Sequence, residues 1–123
     1  MEYIVLDGNS LTLDQFIKGV RNGNYILLSE DAEKRVINAR RMIADALNSK
    51  RIIYGLTTGF GALSDVVISE EQTKLLQKNI LMSHAAGIGN YLDVETTRGV
   101  LILKINNLAK GYSGIKPDTL KTL

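Results

Sequence analysis

Cysteine and tryptophan are absent from this chain of 123 residues, and proline and histidine each occur only once. Without cysteine, the chain has no disulfide framework, no thiolate metal site and no cysteine nucleophile. No apolar run approaches the roughly 20 residues that a membrane-crossing helix needs, and the acidic N-terminus does not have the pattern of a signal peptide. We therefore expect a cytoplasmic protein with no membrane partner and no metal site.

Neither sign of charge dominates the chain. The chain carries 15 basic and 13 acidic residues, a net charge of +2, and these residues are dispersed rather than grouped into a basic block or stripe. This distribution argues against nucleic acid as a partner. The hydrophobic content of 45% is that of an ordinary globular domain. The length allows one domain, or part of a larger one, with a core of its own.

The first 28 residues contain two predicted strands around a predicted helix. The apolar residues 3–6 are followed by a turn cluster, and residues 25–28 form a similar apolar run that we expect to pair with them. Between them, Thr12 and Gln15 have the spacing of a capping box, which predicts the start of a short helix. Asn22-Gly23 should end that helix.

A longer helix is predicted from Ser29, whose hydroxyl is a good N-cap. Asn48-Ser49 should end it. Apolar residues recur at three- and four-residue spacing and predict one buried face: Val36, Ala39, Ile43, and Ala46 or Leu47. Arg40 and Arg41 lie off this face, and we expect both to be solvated.

A further helix is predicted after Ser69, where Ser69-Glu70-Glu71-Gln72 has the pattern of a second capping box. A short strand is expected just before it, at residues 65–68. The helix carries apolar residues that we expect in a core, namely Leu75, Leu76, Met82 and Ala86. Residues 79–86 are poor in charge, so this part should be buried on most sides.

Two more helices follow. Asp93 should cap a long helix that ends near Gly111, with Val100, Leu103, Leu108 and their neighbours as its core residues. Lys116-Pro117-Asp118 has the pattern of a helix start with proline at the first helical position. Because the chain stops shortly afterwards, we expect it to be truncated, with Leu120 and Leu123 exposed.

The stretch Tyr54-Gly-Leu-Thr-Thr-Gly-Phe-Gly61 contains three of the eleven glycines. Its spacing matches neither of the common glycine-rich phosphate-binding motifs. From the residues alone, a purely structural turn with an ordinary packed tyrosine is the favoured interpretation. For Tyr54 to act as a base near neutral pH, its phenolate would need stabilisation, because a tyrosine pKa is ordinarily about 10.

His84, the only histidine, follows Ser83 near the end of a mostly apolar predicted helix. A hydrogen-bonded core histidine is the common interpretation of such a residue. The residue four positions on is Ile88, so a pair of metal ligands on one helix is excluded. Ser83 has no second histidine to act as its base and is not a credible hydrolase nucleophile.

Three motifs together resemble the aromatic amino acid ammonia-lyases. They are residues 54–61, residues 76–89 (Leu-Gln-Lys-Asn-Ile-Leu-Met-Ser-His-Ala-Ala-Gly-Ile-Gly) and residues 103–114 (Leu-Lys-Ile-Asn-Asn-Leu-Ala-Lys-Gly-Tyr-Ser-Gly). Their order and spacing agree with the family, and the similarity extends over nearly the whole chain. The resemblance implies a mainly α fold, the helical N-terminal part of such a lyase, with a small β element near the N-terminus. Residues 1–123 would form a single partial domain, truncated after the start of a helix near residue 117.

The resemblance also implies an activity. These enzymes eliminate ammonia from an amino acid, using a methylidene-imidazolone (MIO) electrophile made from an Ala-Ser-Gly tripeptide. Tyr54 would be the base that removes the β-proton, and His84 with Ser83 would bind the substrate side chain. A mobile loop over the site would include Gly55, Thr58, Gly59, Phe60 and Gly61. The pair Ser83-His84 is most similar to histidine ammonia-lyases, which implies histidine as substrate and urocanate as product.

The chain departs from the family in one respect. Ala-Ser-Gly occurs nowhere in it, and the nearest string, Tyr112-Ser113-Gly114, belongs to the third motif. Family members are several times longer and form homotetramers, so we expect this chain to be inactive alone. Two alternatives stay open: a non-catalytic helical module or half of a split lyase, and a tyrosine ammonia-lyase or aminomutase of the same family.

Overall fold

The computed structural model describes residues 3–49, 52–53, 58 and 70–123. Within them lie two strands and five helices: β1 (Tyr3–Leu6), α1 (Leu13–Asn22), β2 (Tyr25–Leu28), α2 (Glu30–Asn48), α3 (Glu70–His84), α4 (Val94–Leu108) and α5 (Pro117–Thr122). The chain is mainly helical with a small sheet near the N-terminus, as the sequence predicts. Its contacts divide it into two compact units, Met1–Ile43 with Tyr91–Leu123, and Ala44–Asn90.

The two predicted strands pair with each other, and they do so in parallel. Tyr3 lies opposite Tyr25, with the ring centroids 6.1 Å apart, and Leu6 lies opposite Leu28. A parallel pair cannot be closed by a tight turn, so α1 serves as the connection between the strands. Ile4 and Leu6 point into the core, while Tyr3 and Val5 lie exposed, which is the alternation expected of a strand with one buried face.

The capping box of α1 is confirmed. The Thr12 side chain accepts a hydrogen bond from the Gln15 backbone N–H, and the Gln15 side chain accepts one from the Thr12 backbone N–H at 3.0 Å. Gly23 ends the helix in the left-handed conformation, with φ of 66°, where a side chain would be strained. Both ends of α1 are therefore set by residues within three positions of the helix.

The buried face of α2 also agrees with the prediction in part. Ser29 accepts a hydrogen bond from the Ala32 backbone N–H, and Val36 and Ala46 are buried. Arg41 is exposed as expected. The expectation for Arg40 was wrong, since its guanidinium is partly buried and donates to the Gly114 carbonyl oxygen at 3.5 Å.

Helix α4 begins at the predicted cap, where the Thr96 backbone N–H donates to the Asp93 carboxylate at 2.7 Å. Its core face was predicted wrongly in part, although Leu108 packs against the core as expected. Val100 and Leu103 are more than half exposed, and the buried positions are Gly99, Ile102 and Ile105. The stretch is apolar on several sides, so its periodicity does not select a face.

The core of the first unit forms where β1, α1, α2, α4 and α5 meet. Seven side chains make up its buried part: Ile4, Leu6, Val20, Val36, Ile102, Ile105 and Leu120. Gly19 and Gly99 let α1 and α4 approach closely, because a Cβ at Gly19 would lie 2.8 Å from the Ile102 Cδ1 atom. Small residues at a helix crossing thus bring two helices from distant parts of the sequence together.

Helix α5 starts with Pro117 at its first position, as predicted. Leu120 is buried in the core, so the expectation that it would be exposed was wrong, whereas Leu123 is 44% exposed. The predicted end of α4 at Gly111 is displaced, because the helix ends at Leu108 and Gly111 follows a further turn, with φ of 79°. The turn is closed by the Gly111 backbone N–H, which donates to the Leu108 carbonyl at 3.0 Å.

In the second unit, α3 begins at Glu70, next to the predicted cap. The predicted cap residue Ser69 and the predicted strand at residues 65–68 lie outside the described residues. The expected burial of this helix was wrong in part, since Leu75, Leu81 and Met82 are each more than half exposed. A charge-poor helix face is suited to packing against apolar groups, but the pattern alone does not show which groups pack there.

Candidate functional site

Most residues of the predicted active-site loop lie outside the part of the chain that the structure describes. These are Gly55, Gly59, Phe60 and Gly61, and Tyr54, the predicted base, also lies outside it. Thr58 is described, and it is 1% exposed, the most buried polar side chain among the described residues. The hydroxyl of a threonine buried to this extent needs hydrogen-bond partners, which restrict the rotation of its side chain.

The second predicted motif is described in full at the end of α3. His84 is the last residue of the helix, and its side chain is exposed rather than part of a core. The His84 Nδ1 atom lies 3.0 Å from the Ile80 carbonyl oxygen, one turn earlier. It also lies 2.9 Å from the Ser83 Oγ atom. The imidazole is thus held against its own helix by one edge.

Ser83 takes part in the same contact. Its hydroxyl donates to the Ile80 carbonyl oxygen at 3.0 Å. Ile80, Ser83 and His84 therefore form a small hydrogen-bonded triangle at the exposed end of α3. Sequence reasoning singled out both side chains but not the contacts between them and the Ile80 carbonyl. The one signal for these contacts is that His84 follows Ile80 by four residues, one turn of a helix.

The carboxyl groups with shifted pKa values lie elsewhere and have structural causes. Backbone N–H groups of Ser10 and Asn9 lower the pKa of Asp7 to about 2. The Thr96 backbone N–H lowers the pKa of Asp93 in the same way. Each carboxylate accepts hydrogen bonds at a turn or a helix start, and neither is arranged for proton transfer.

A cavity of about 520 Å³ lies in the first unit, between β2, α4 and α5. Its walls are mostly apolar, with Glu33, Arg98 and Lys121 among them, and they contain none of the predicted site residues. No group of three or more His, Asp or Glu side chains that could hold a metal ion is found among the described residues. Within the same ranges, no helix is long and apolar enough to cross a membrane.

The comparison with known families decides the identity of the fold. The aromatic amino acid lyase family matches residues 11–123. The chain belongs to that family. The resemblance of the three motifs is thereby confirmed, and so is the mainly helical fold with its small sheet.

Known members of the family match the chain from end to end. It is 48% identical to histidine ammonia-lyase of Alkaliphilus oremlandii over all 123 residues, which are 24% of that protein. The crystal structure of histidine ammonia-lyase from Trypanosoma cruzi is 36% identical, with a TM-score of 0.86 over 98% of this chain and 23% of the other. Ergothionase from Treponema denticola, an ergothioneine-degrading enzyme, is 30% identical, with a TM-score of 0.88 over 98% of this chain and 24% of the other.

The chain thus spans about a quarter of the length of the relatives it matches. A family electrophile made from Ala-Ser-Gly has no source in this chain, since its one Ser-Gly step is Ser113-Gly114. That step serves another purpose. Ser113 Oγ accepts a hydrogen bond from the Ile115 backbone N–H at 3.2 Å, and a Cβ at Gly114 would lie 2.5 Å from an Ile43 side-chain atom. The residues present do not fit the MIO group.

Proposed function

We propose that the protein to which this chain belongs is a histidine ammonia-lyase that eliminates ammonia from L-histidine to give urocanate. The observation that carries this proposal is the 48% identity to a histidine ammonia-lyase across the entire chain. The pair Ser83-His84 adds to it, because a polar residue suits an imidazole substrate. A buried ring nitrogen without a hydrogen-bond partner would cost binding energy.

The roles proposed for individual residues follow the family motifs. Tyr54 is the base that removes the β-proton of the substrate, and His84 with Ser83 contributes to the side-chain pocket. The loop that covers the site includes Gly55, Thr58, Gly59, Phe60 and Gly61. As a base, Tyr54 requires a cation or hydrogen-bond donors that stabilise its phenolate, and the rest of the polypeptide must supply some of them.

The intact enzyme would be a cytoplasmic homotetramer that carries MIO as its electrophile. This chain has no Ala-Ser-Gly, so it contributes the base and part of the pocket but not the electrophile. We therefore propose that the 123 residues are inactive alone. The DNA that follows codon 123 tests whether the chain is part of an intact lyase, since it should then encode Ala-Ser-Gly in frame. An immediate stop codon would instead favour a free-standing module or half of a split lyase.

The substrate is tested with the intact protein. Incubation with L-histidine should raise the ultraviolet absorbance of urocanate, whereas L-tyrosine should give no cinnamate-type absorbance. Ergothioneine belongs in the same assay because a structurally similar protein degrades it. Faster turnover of tyrosine would favour a tyrosine ammonia-lyase or aminomutase and would contradict the assignment of histidine.

The base is tested by Tyr54→Phe in the intact enzyme. We expect kcat to fall by about 10²-fold or more, since general-base catalysis commonly contributes that much. Tyr91→Phe is the matched control, because Tyr91 lies outside the three motifs and removal of its hydroxyl should leave the rate unchanged. Near-normal activity of Tyr54→Phe would remove Tyr54 from the role of base.

A further inference from the structure

The triangle at the end of α3 favours one position for the proton on the His84 ring. A carbonyl oxygen can only accept hydrogen bonds. The His84 Nδ1 atom lies 3.0 Å from the Ile80 carbonyl oxygen, so a hydrogen bond between them requires a proton on Nδ1. An unprotonated Nδ1 would instead face its lone pair towards the carbonyl lone pairs at the same distance, which is repulsive.

Ser83 completes this arrangement. Its hydroxyl has one hydrogen, which it donates to the Ile80 carbonyl oxygen at 3.0 Å. Its oxygen is then free to accept from the His84 Nδ1–H, 2.9 Å away. With this assignment every contact of the triangle joins a donor to an acceptor, whereas the opposite tautomer leaves Nδ1 and the Ile80 oxygen as two facing acceptors.

We propose that the Ile80 carbonyl and the Ser83 hydroxyl hold His84 as its Nδ1–H tautomer, so that Nε2 is presented as a hydrogen-bond acceptor. Among the described residues, none donates a hydrogen bond to Nε2, and the side chain is exposed. Ser83 then acts in the pocket as a positioning residue for His84. Histidine tautomers are commonly set in this way, by the hydrogen bond that the other ring nitrogen makes.

The tautomer defines the chemistry of the ligand. An acceptor nitrogen binds a group that donates, such as the N–H of a neutral imidazole ring. It does not pair with a ring whose nitrogens are all unprotonated or methylated. This part of the inference rests on the proposed function, because it takes histidine as the ligand.

The tautomer can be measured on the 123-residue chain without any activity. His84 is its only histidine, so labelling with ¹⁵N-histidine gives a single pair of ring-nitrogen signals. At alkaline pH, where imidazole is neutral, we expect the protonated-type signal to belong to Nδ1 and the unprotonated-type signal to Nε2. A spectrum equal to that of a blocked histidine peptide, or one with the proton mainly on Nε2, would overturn the proposal.

Variants of Ser83 separate the effect of its hydroxyl on the His84 ring from that of the Ile80 carbonyl. Ser83→Ala removes one of the two acceptors for the Nδ1–H and should shift the signals part of the way towards those of the peptide, and Ser83→Thr, which keeps a hydroxyl, should restore them. Lys78→Ala changes an exposed residue of the same helix and should leave them unchanged. Helix content by circular dichroism should be equal in all four proteins. An unaltered tautomer in Ser83→Ala would exclude a positioning role for Ser83.

The ligand chemistry is tested on the intact enzyme. Methylation of a ring nitrogen of histidine should lower kcat/KM by about tenfold or more. The Nε2 atom of His84 would then accept no hydrogen bond from the substrate, and an unpaired acceptor costs about that much. The ratio between histidine and its methylated form should shrink in His84→Leu, and an undiminished ratio would contradict the acceptor role of Nε2. If histidine itself is not a substrate, the proposed function fails, and the nuclear magnetic resonance result still decides the tautomer.

Discussion

At the scale of single residues, Asp7 shows how a short turn holds a carboxylate. Its Oδ1 atom accepts hydrogen bonds from the backbone N–H groups of Asn9 and Ser10, both at 2.7 Å. These bonds lower the pKa of Asp7 to about 2. A group whose pKa is lower in the folded state stabilises the fold above its ordinary value of 3.8, and that stabilisation is lost as the pH falls towards about 2.

The charge of Asp7 is tested by Asp7→Asn, which keeps an oxygen at the same place. The free energy of unfolding at neutral pH should fall, and its decrease between pH 5 and pH 2, about the window set by the two pKa values, should become smaller. Urea unfolding at several pH values measures both quantities. Asp45→Asn, at an exposed position of α2, is the control. An acid dependence identical to that of the wild type would contradict the structural role of the Asp7 charge.

Gly111 is a residue whose replacement should be costly for two reasons. Its φ of +79° strains a side chain by about 1–2 kcal/mol. A Cβ there would also lie 2.7 Å from the Arg35 Cβ atom and 3.0 Å from the Arg35 backbone. Because a helix backbone cannot move aside easily, we expect Gly111→Ala to lower the free energy of unfolding by about 2 kcal/mol or more.

Two other glycines of the chain are matched controls for Gly111→Ala. Gly89 has φ of +98° with nothing within 4 Å of a Cβ, so Gly89→Ala should show the strain without the clash. Gly87 has open space and no positive φ, so Gly87→Ala should have little effect. Denaturant unfolding should rank the costs in the order Gly111, Gly89, Gly87. An equal cost at Gly89 and Gly111 would mean that the Arg35 contact contributes nothing.

At the scale of elements, α1 and α4 differ in how much of each was predictable. The limits of α1 depend on Thr12, Gln15 and Gly23, all of which act on backbone groups within a few residues. The start of α4 at Asp93 is local in the same sense. Its buried face is not, because Ile102 is buried by contact with Gly19, more than eighty residues earlier.

The corrected face of α4 is tested by two neighbouring truncations. Ile102 is 5% exposed, so Ile102→Ala should lower the free energy of unfolding by about 2–5 kcal/mol. Leu103 is 53% exposed, and Leu103→Ala should change it by about 0.5 kcal/mol or less. Urea unfolding of both variants measures the difference. A larger loss of unfolding free energy in Leu103→Ala than in Ile102→Ala would instead support the face that the sequence pattern indicated.

At the scale of the whole molecule, the first unit is joined by contacts between segments far apart in sequence. The Arg35 Nη2 atom donates to the Asp7 carbonyl at 2.6 Å and lies 3.4 Å from the Ala109 carbonyl. The Gly8 backbone N–H donates to the Asn106 side chain at 3.0 Å. These bonds hold the loop after β1 between α2 and the end of α4. The sequence analysis gave neither Arg35 nor Asn106 a role of its own, although Asn106 lies in the third motif, because the partners of both side chains are distant in sequence.

The second unit exposes apolar side chains that should affect the behaviour of the chain in solution. Leu81 and Met82 in α3, and Ile88 after it, are each more than two-thirds exposed. Exposed apolar side chains of this kind promote association. We expect the 123-residue chain to self-associate as its concentration rises, as measured by sedimentation velocity.

Replacement of both leucine and methionine tests the cause of that association. Leu81→Gln with Met82→Gln should shift the chain towards monomer, whereas Lys78→Gln in the same helix should not. A wild-type chain that stays monomeric at all concentrations would show that this apolar surface drives no association.

The residues that specify local structure could be recognised without the fold. Thr12, Asp93 and Pro117 each start a helix where the sequence predicts one, because capping hydrogen bonds and proline geometry involve only adjacent residues. The motifs around Tyr54 and His84 likewise identified the family. The roles of the loop residues remain predictions, since most of them lie outside the described residues.

Burial and side-chain contact were decided only by the tertiary structure. Leu120 is buried, whereas Leu103 and Met82 are exposed. Apolar character measures the free energy available from burial, but whether that energy is gained depends on which distant segment arrives to exclude water. The local chemistry of this chain is therefore encoded residue by residue, whereas its core is a property of segments that meet across a hundred positions.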